Sequence, residues 1–236
     1  MTSARTALEA LHTQPGLVQV AGLHDADEAE RIIAAGVRWL GFPLRLPVHA
    51  EDLSEREAAA VIRKLPADVH SVLITYLDRA EDISDFCATL DVTAVQLHGG
   101  IAVDELQALR VAAPELAIIK SLVVGLHPIE ALLAEMAMLA PWVDAFITDT
   151  YDPSTGASGA TGRTHDWQLS RRLVEQSTRP VILAGGLTPE NVAGAIRAVR
   201  PAGVDVHTGV EDLAGRKCPR RLERFMAQTR RGYAGP

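Results

Sequence analysis

Apolar positions along the chain follow two alternating rhythms. Short apolar runs rich in Val, Ile and Leu recur at 18–21, 39–42, 71–76, 94–97, 118–123, 145–149, 181–184 and 204–207. Stretches with helical spacing follow them, at 27–35, 54–64, 80–90, 103–113, 128–139, 167–176, 189–199 and 220–229. Strands this apolar, each followed by an amphipathic helix, predict a parallel sheet buried on both faces. Ser54, Asp166 and the pair Thr188–Pro189 offer good first-turn chemistry for three of the helices. The fold class is therefore α/β. Eight strand–helix units predict one (β/α)8 TIM barrel over residues 17–230, with an extra N-terminal helix in 1–16 and a frayed tail at 231–236. The rival, an open doubly wound sheet holding a dinucleotide, would show G-x-G-x-x-G after its first strand; "VAGLHDAD" does not.

One connection breaks the rhythm. "TYDPSTGASGATGRTHD", ending at Asp166, is too long and glycine-rich for an ordinary turn, and such loops usually serve as lids or binding segments. A lid over the mouth is expected there. Composition narrows the partners. The chain has 236 residues, 23 basic and 30 acidic, for a net charge of −7. That balance argues against nucleic acid, which favours a basic face. No apolar run approaches the roughly 18 residues of a membrane span, and the amphipathic start does not read as a signal peptide. Cys87 and Cys218 have neither disulfide-framework nor metal spacing, which suits a reducing cytoplasm. A phosphorylated small molecule, with no cofactor and a monomeric or homodimeric chain, is the expected partnership.

Barrel enzymes place chemistry at the C-terminal strand ends and often hold phosphate in the loops after strands seven and eight. Those loops read "ILAGGLTPENV" and "GVDVHTGVEDLAG". Gly185 and Gly186 would let backbone amides approach an oxyanion, and Thr208 and Gly209 would add donors opposite. Tight turns alone would also explain the glycines, but two such loops at the right ordinal positions favour phosphate.

At these residues a family comes into view. "VAGLHD", "VQLHGG", "FITDT", "GATGRTHDW", "ILAGGLTPENV" and "GVDVHTGVED…GRK", in that order between about Leu17 and Phe225, resemble phosphoribosylanthranilate isomerase of tryptophan biosynthesis. The resemblance implies an Amadori rearrangement of an aminoaldose to an aminoketose. A general acid opens the ring and a general base takes the proton from C2. It assigns the acid to Asp149, whose apolar neighbours Phe146 and Ile147 favour the protonated form. It gives Gln96 and His98 pocket-lining roles, and a similar role to Lys120, for which a Schiff base is the alternative.

Several positions depart from the family pattern. Its basic cysteine, in "K-I-C-G", is replaced in "QVAG" by Ala21, and its lysine by Gln19. Residues 19 and 21 share one strand face, expected to be the barrel interior. The arginine of "S-P-R", which grips the anthranilate carboxylate, is missing after Pro47, where Val48 stands; Arg45 is nearby but out of register. The paired serines of the eighth loop become His207 and Thr208. Proton abstraction must then be absent or relocated.

Four of the eight histidines, His24, His49, His98 and His207, fall just after strands on the expected rim. His24, three residues beyond Ala21, is the first candidate base and His207 the second. His12, His70, His127 and His165 carry no assignment. Two alternatives stay open: a non-catalytic descendant that binds a phosphorylated metabolite, and a metal-assisted phosphosugar epimerase, which no metal-type histidine spacing supports.

Overall fold

Eight parallel strands hydrogen-bond in sequence order and close on themselves in the computed structural model. It describes residues 16–47, 51–150 and 166–235, together with Ala7, Glu9 and Leu11. The strands are β1 (Leu17–Ala21), β2 (Trp39–Pro43), β3 (His70–Thr75), β4 (Ala94–Leu97), β5 (Ala117–Val124), β6 (Ala145–Thr150), β7 (Val181–Leu183) and β8 (Gly203–Val206). Each is followed by a helix: α1 (Ala26–Ala34), α2 (Glu55–Ile62), α3 (Ala80–Leu90), α4 (Val103–Ala112), α5 (Ile129–Leu139), α6 (Trp167–Gln176), α7 (Val192–Val199) and α8 (Pro219–Tyr233). The chain is a (β/α)8 barrel. The proposed lid, His12, His49 and His165 lie outside the described residues.

Two apolar layers hold it together. Outward residues such as Ile118, Leu122 and Val124 pack beneath the helices. Inward residues of the same strand, Ala117 and Ile119, join Leu17, Trp39, Val72, Ile147 and Ile182 in a separate luminal cluster. Ala7 and Leu11, which are helical and buried, belong to that luminal cluster. Each such Leu or Ile, fully buried, contributes about 1.5–3 kcal/mol.

Local signals set most boundaries. Ser54 and Glu57 form a full capping box at α2, and Asp166 accepts a hydrogen bond from the Gln168 amide at α6. Thr188 behaves differently from expectation. Its hydroxyl accepts from the Glu190 amide and its own amide donates to Asn191 Oδ1, making a turn that delays α7 until Val192. α8 runs on to Tyr233, into the segment expected to fray, because Gly232 lets it lie against Ile196 and Ala193 of α7. Among the described residues no helix is long and apolar enough to cross a membrane.

Candidate active site

The C-terminal strand ends gather two groups of polar side chains around the lumen. The first spans β4 to β6. Asp149 Oδ1 accepts the Thr150 amide at 2.7 Å, and Oδ2 lies 3.2 Å from His98 Nε2. His98 Nδ1 is 3.2 Å from Ser121 Oγ, and the Tyr76 ring stands edge-on to the imidazole at 4.7 Å. Gln96 donates to Ser121 Oγ at 3.4 Å and accepts from Gln19 Nε2 at 2.9 Å. An unbroken polar chain thus crosses the barrel from β1 to β6. Burial pushes the Asp149 carboxyl up to about 7, against the Thr150 amide and the charge of Lys120. A carboxyl at that value carries and releases a proton near neutrality, as a general acid must.

The second group joins β8, β1 and β2. His24 Nδ1 lies 3.2 Å from Glu28 and its Nε2 3.5 Å from Asp52. His207 Nε2 is 3.9 Å from the other Asp52 oxygen and 3.6 Å from Glu211, which accepts from Lys217 Nζ at 2.5 Å. Glu28, with a fully buried side chain, collects the His24 and Lys217 amides and Arg216 Nε. Burial alone would raise its carboxyl, but those amides and Arg216 hold it below the ordinary range. Arg216 also pairs with Asp25, the N-cap of α1. Burial raises Asp52 instead, against the nearby charges of His24 and Lys217. Neither Asp52 nor Glu28 stands out in the sequence, because Arg216 and Lys217, which bind Glu28, and His24 and His207, which face Asp52, are distant from them along the chain.

Ala21 and Gln19 both face the lumen, as their parity requires; Ala21 lies in the inner cluster, and its Cβ faces Gly41, where an added Cβ would come within 2.9 Å. Gly22, at φ +71, passes directly beneath His207, whose Nε2 occupies space 1.9 Å from where a Cβ would sit. Gly185 and Gly186 adopt φ of +101 and +61, left-handed conformations natural to glycine. A Cβ on Gly209 would meet the Leu187 carbonyl oxygen at 1.8 Å, so the seventh and eighth loops touch backbone to backbone. Thr208 opens a short 3-10 turn, Thr208–Val210.

Two expected pocket residues point elsewhere. Lys120 alternates with the luminal Ile119 and Ser121, so it faces the helix layer, near the charge of Glu135 on α5, with Nζ donating to the Ser121 carbonyl at 2.7 Å. Burial lowers its ammonium to about 8, with Glu135 and then Asp149 opposing. Arg45, at φ +54, turns its guanidinium onto Glu55 at 2.8 Å and the Phe86 ring at 3.7 Å. That places it on the outer rim among α2 and α3, away from the lumen.

Asp205 has no place in the sequence reading. It pairs in register with Gln19 across the β8–β1 seam and shares its inward parity. Its Oδ1 is buried without a hydrogen-bond partner, as is Gln19 Oε1. Burial pushes its carboxyl up to about 7; the Gln19 hydrogen bond opposes this, the charge of Asp149 adds to it, and Lys217 opposes it. Among the described residues no three His, Cys, Asp or Glu side chains converge as ligands for a metal ion.

The chain is similar to known proteins. Residues 18–228 match the family model described as N-(5'phosphoribosyl)anthranilate (PRA) isomerase. N-(5'-phosphoribosyl)anthranilate isomerase 2 of Methanosarcina mazei is 37% identical over 218 residues, covering 92% of this chain and 95% of that relative. The crystal structure of phosphoribosyl anthranilate isomerase from Thermotoga maritima superposes with a TM-score of 0.76 at 28% identity, covering 91% of this chain and 98% of that one. A complex of such an isomerase with reduced 1-(o-carboxyphenylamino)-1-deoxyribulose 5-phosphate gives 0.74 at 26% identity, with the same coverage.

Proposed function

Because the chain belongs to the N-(5'-phosphoribosyl)anthranilate isomerase family, we propose that it isomerises a phosphoribosylated arylamine, N-(5'-phosphoribosyl)anthranilate or a close relative, in tryptophan biosynthesis. The observation that carries this reading is Asp149: a carboxyl at about 7, buried at the luminal end of β6 and held by His98. It donates its proton to the ring oxygen, the C1–O bond breaks, and an iminium forms at C1. His98 and Ser121 orient the acid, and Gln96 ties that group to the opposite wall. The paired loops carrying Gly185, Gly186, Thr208 and Gly209 hold the phosphate and supply binding energy away from the reacting carbon.

His24 fits the proton acceptor poorly, since Glu28 and Asp52 engage both ring nitrogens. We assign it, with His207, to shaping the β8–β1 rim. Arg45 is committed to Glu55 and Phe86, which leaves the aglycone site without the arginine that the family's motif provides and fits tolerance of other aryl groups. The test is conversion of N-(5'-phosphoribosyl)anthranilate by the purified protein, alongside rescue of a tryptophan-requiring host that lacks the isomerase. Turnover and rescue that vanish together in Asp149→Asn support the reading. Tight binding of the reduced product analogue without turnover would instead mark a non-catalytic descendant.

A further inference from the structure

Deprotonation of C2 needs an acceptor, and the family's position for it, residue 21, carries only a methyl group. We propose that Asp205, reached through the gap left by Ala21, is the carboxylate that removes the C2 proton. This rests on the isomerase reading above and assigns its missing half.

The geometry has three parts. Gln19 and Asp205 are register partners, and Ala21 stands one inward step nearer the mouth than Gln19. On β8 the next inward residue above Asp205 is His207, whose ring lies over Gly22, so the methyl group of Ala21 is the smallest side chain on that seam. Second, Asp205 Oδ1 is buried with no hydrogen-bond partner, although the residue as a whole keeps some solvent contact. Flanked by β7 and β1 and of inward parity, the residue turns its carboxylate into the barrel interior. Third, continuing the β6–β7 and β7–β8 registers puts Asp149 and Asp205 on either side of Ala184, two strands apart and about 10 Å between backbones. Two inward carboxylates at that separation flank a sugar lying between them.

Gln19 completes the arrangement. It donates to Asp205 without neutralising it. The charged groups facing Asp205 are Asp149 from β6 and Lys217 from the segment before α8. Burial raises both carboxyls and a charge on Asp149 raises Asp205 further, so Asp205 ionises more readily while Asp149 holds its proton.

The step balances. Asp149 gives its proton to the ring oxygen, which becomes a hydroxyl as the ring opens to the C1 iminium. Asp205 takes the proton from C2, the C–H electron pair forms C1=C2, and the C1=N pair returns to nitrogen. Asp205 then delivers its proton to C1, while the C2 hydroxyl returns a proton to Asp149 and becomes the ketone. Substrate and product are isomers, and both carboxyls end as they began.

The test compares wild type, Asp205→Asn and Gln19→Lys in steady-state assays with N-(5'-phosphoribosyl)anthranilate, unlabelled or deuterated at C2. Asp205→Asn is expected to lower kcat by about 10²–10⁴-fold, with KM within threefold and a larger isotope effect from C2 deuterium. Gln19→Lys sets a cation beside Asp205 and is expected to move the acidic limb of kcat/KM down by a pH unit or more, a shift that a packing role would not produce. A folded Asp205→Asn protein that binds the reduced product analogue and keeps a tenth or more of kcat overturns the assignment. So does an unmoved acidic limb in Gln19→Lys, which decides the matter should Asp205→Asn fail to fold. No turnover by wild type removes this inference and the isomerase reading together; turnover that survives both changes removes this inference alone.

Discussion

The two sides of the barrel mouth are built differently. From β4 to β6, neutral donors and acceptors pass from Gln96 through Ser121 and His98 to one carboxyl, with few formal charges nearby. Around β8, β1 and β2, full charges predominate: Asp25, Glu28, Asp52, Glu211, Arg216 and Lys217 interlock, with His24 and His207 among them. Charges paired this closely satisfy one another, so the side richest in titratable groups is a clasp between loops. The sparser side holds a carboxyl whose proton is available. A dense cluster of paired histidines and acids at the rim is therefore a poor guide to where a proton-holding carboxyl lies: Asp149 and Asp205 both stand inside the lumen, outside that clasp.

That contrast has consequences of graded size. Asp149→Asn strikes the proton-holding side and should lower kcat by about 10²–10⁴-fold while the protein stays folded; turnover assays with a melting curve check both halves. Glu28→Ala strikes the clasp. It strands Arg216, which is partly exposed, and should cost about 3 kcal/mol, seen as a melting temperature lower by roughly 6–12 °C, with kcat per folded molecule little changed. A third effect concerns pH. Asp149 titrates near 3.8 in an unfolded chain and about 7 in the folded one. Between those values the unfolded state has released a proton that the folded state retains, so this group's contribution to stability falls as pH rises from about 4 to about 7. Asn has no such proton; the melting temperature of Asp149→Asn should gain on wild type across that window by on the order of 10 °C. The smallest effect is expected for His24→Ala: kcat within about threefold, well below the loss of a general base. A hundredfold loss there, measured in the same assay, would place chemistry on the clasp and reverse the comparison.

What the sequence made legible follows the same division. Strand order, barrel closure, the helix caps at Ser54 and Asp166, and the buried carboxyl at the end of β6 rest on local pattern or motif. Lys120 stands beside Ser121 in a strand with apolar residues on both faces, and such a pattern conceals which parity faces inward. Asp205 was passed over within "GVDVH" although its neighbours have the opposite parity; its significance depends on lying beside Gln19 from the other end of the chain. Arg45 was displaced by a left-handed backbone that aims it at Phe86. His24 looked available because Arg216, 188 residues from Glu28, has no visible tie to the first loop until the barrel closes.

Ala7 and Leu11 belong to the same buried luminal cluster as Leu17, Trp39 and Ile147, so hydrocarbon fills the cylinder toward the N-terminal strand ends. Reactant and product then have to arrive and depart where the strand C-termini gather. A hydrogen taken from the substrate there meets only hydrocarbon on its far side, which favours handing it back to the same molecule over trading it with bulk water.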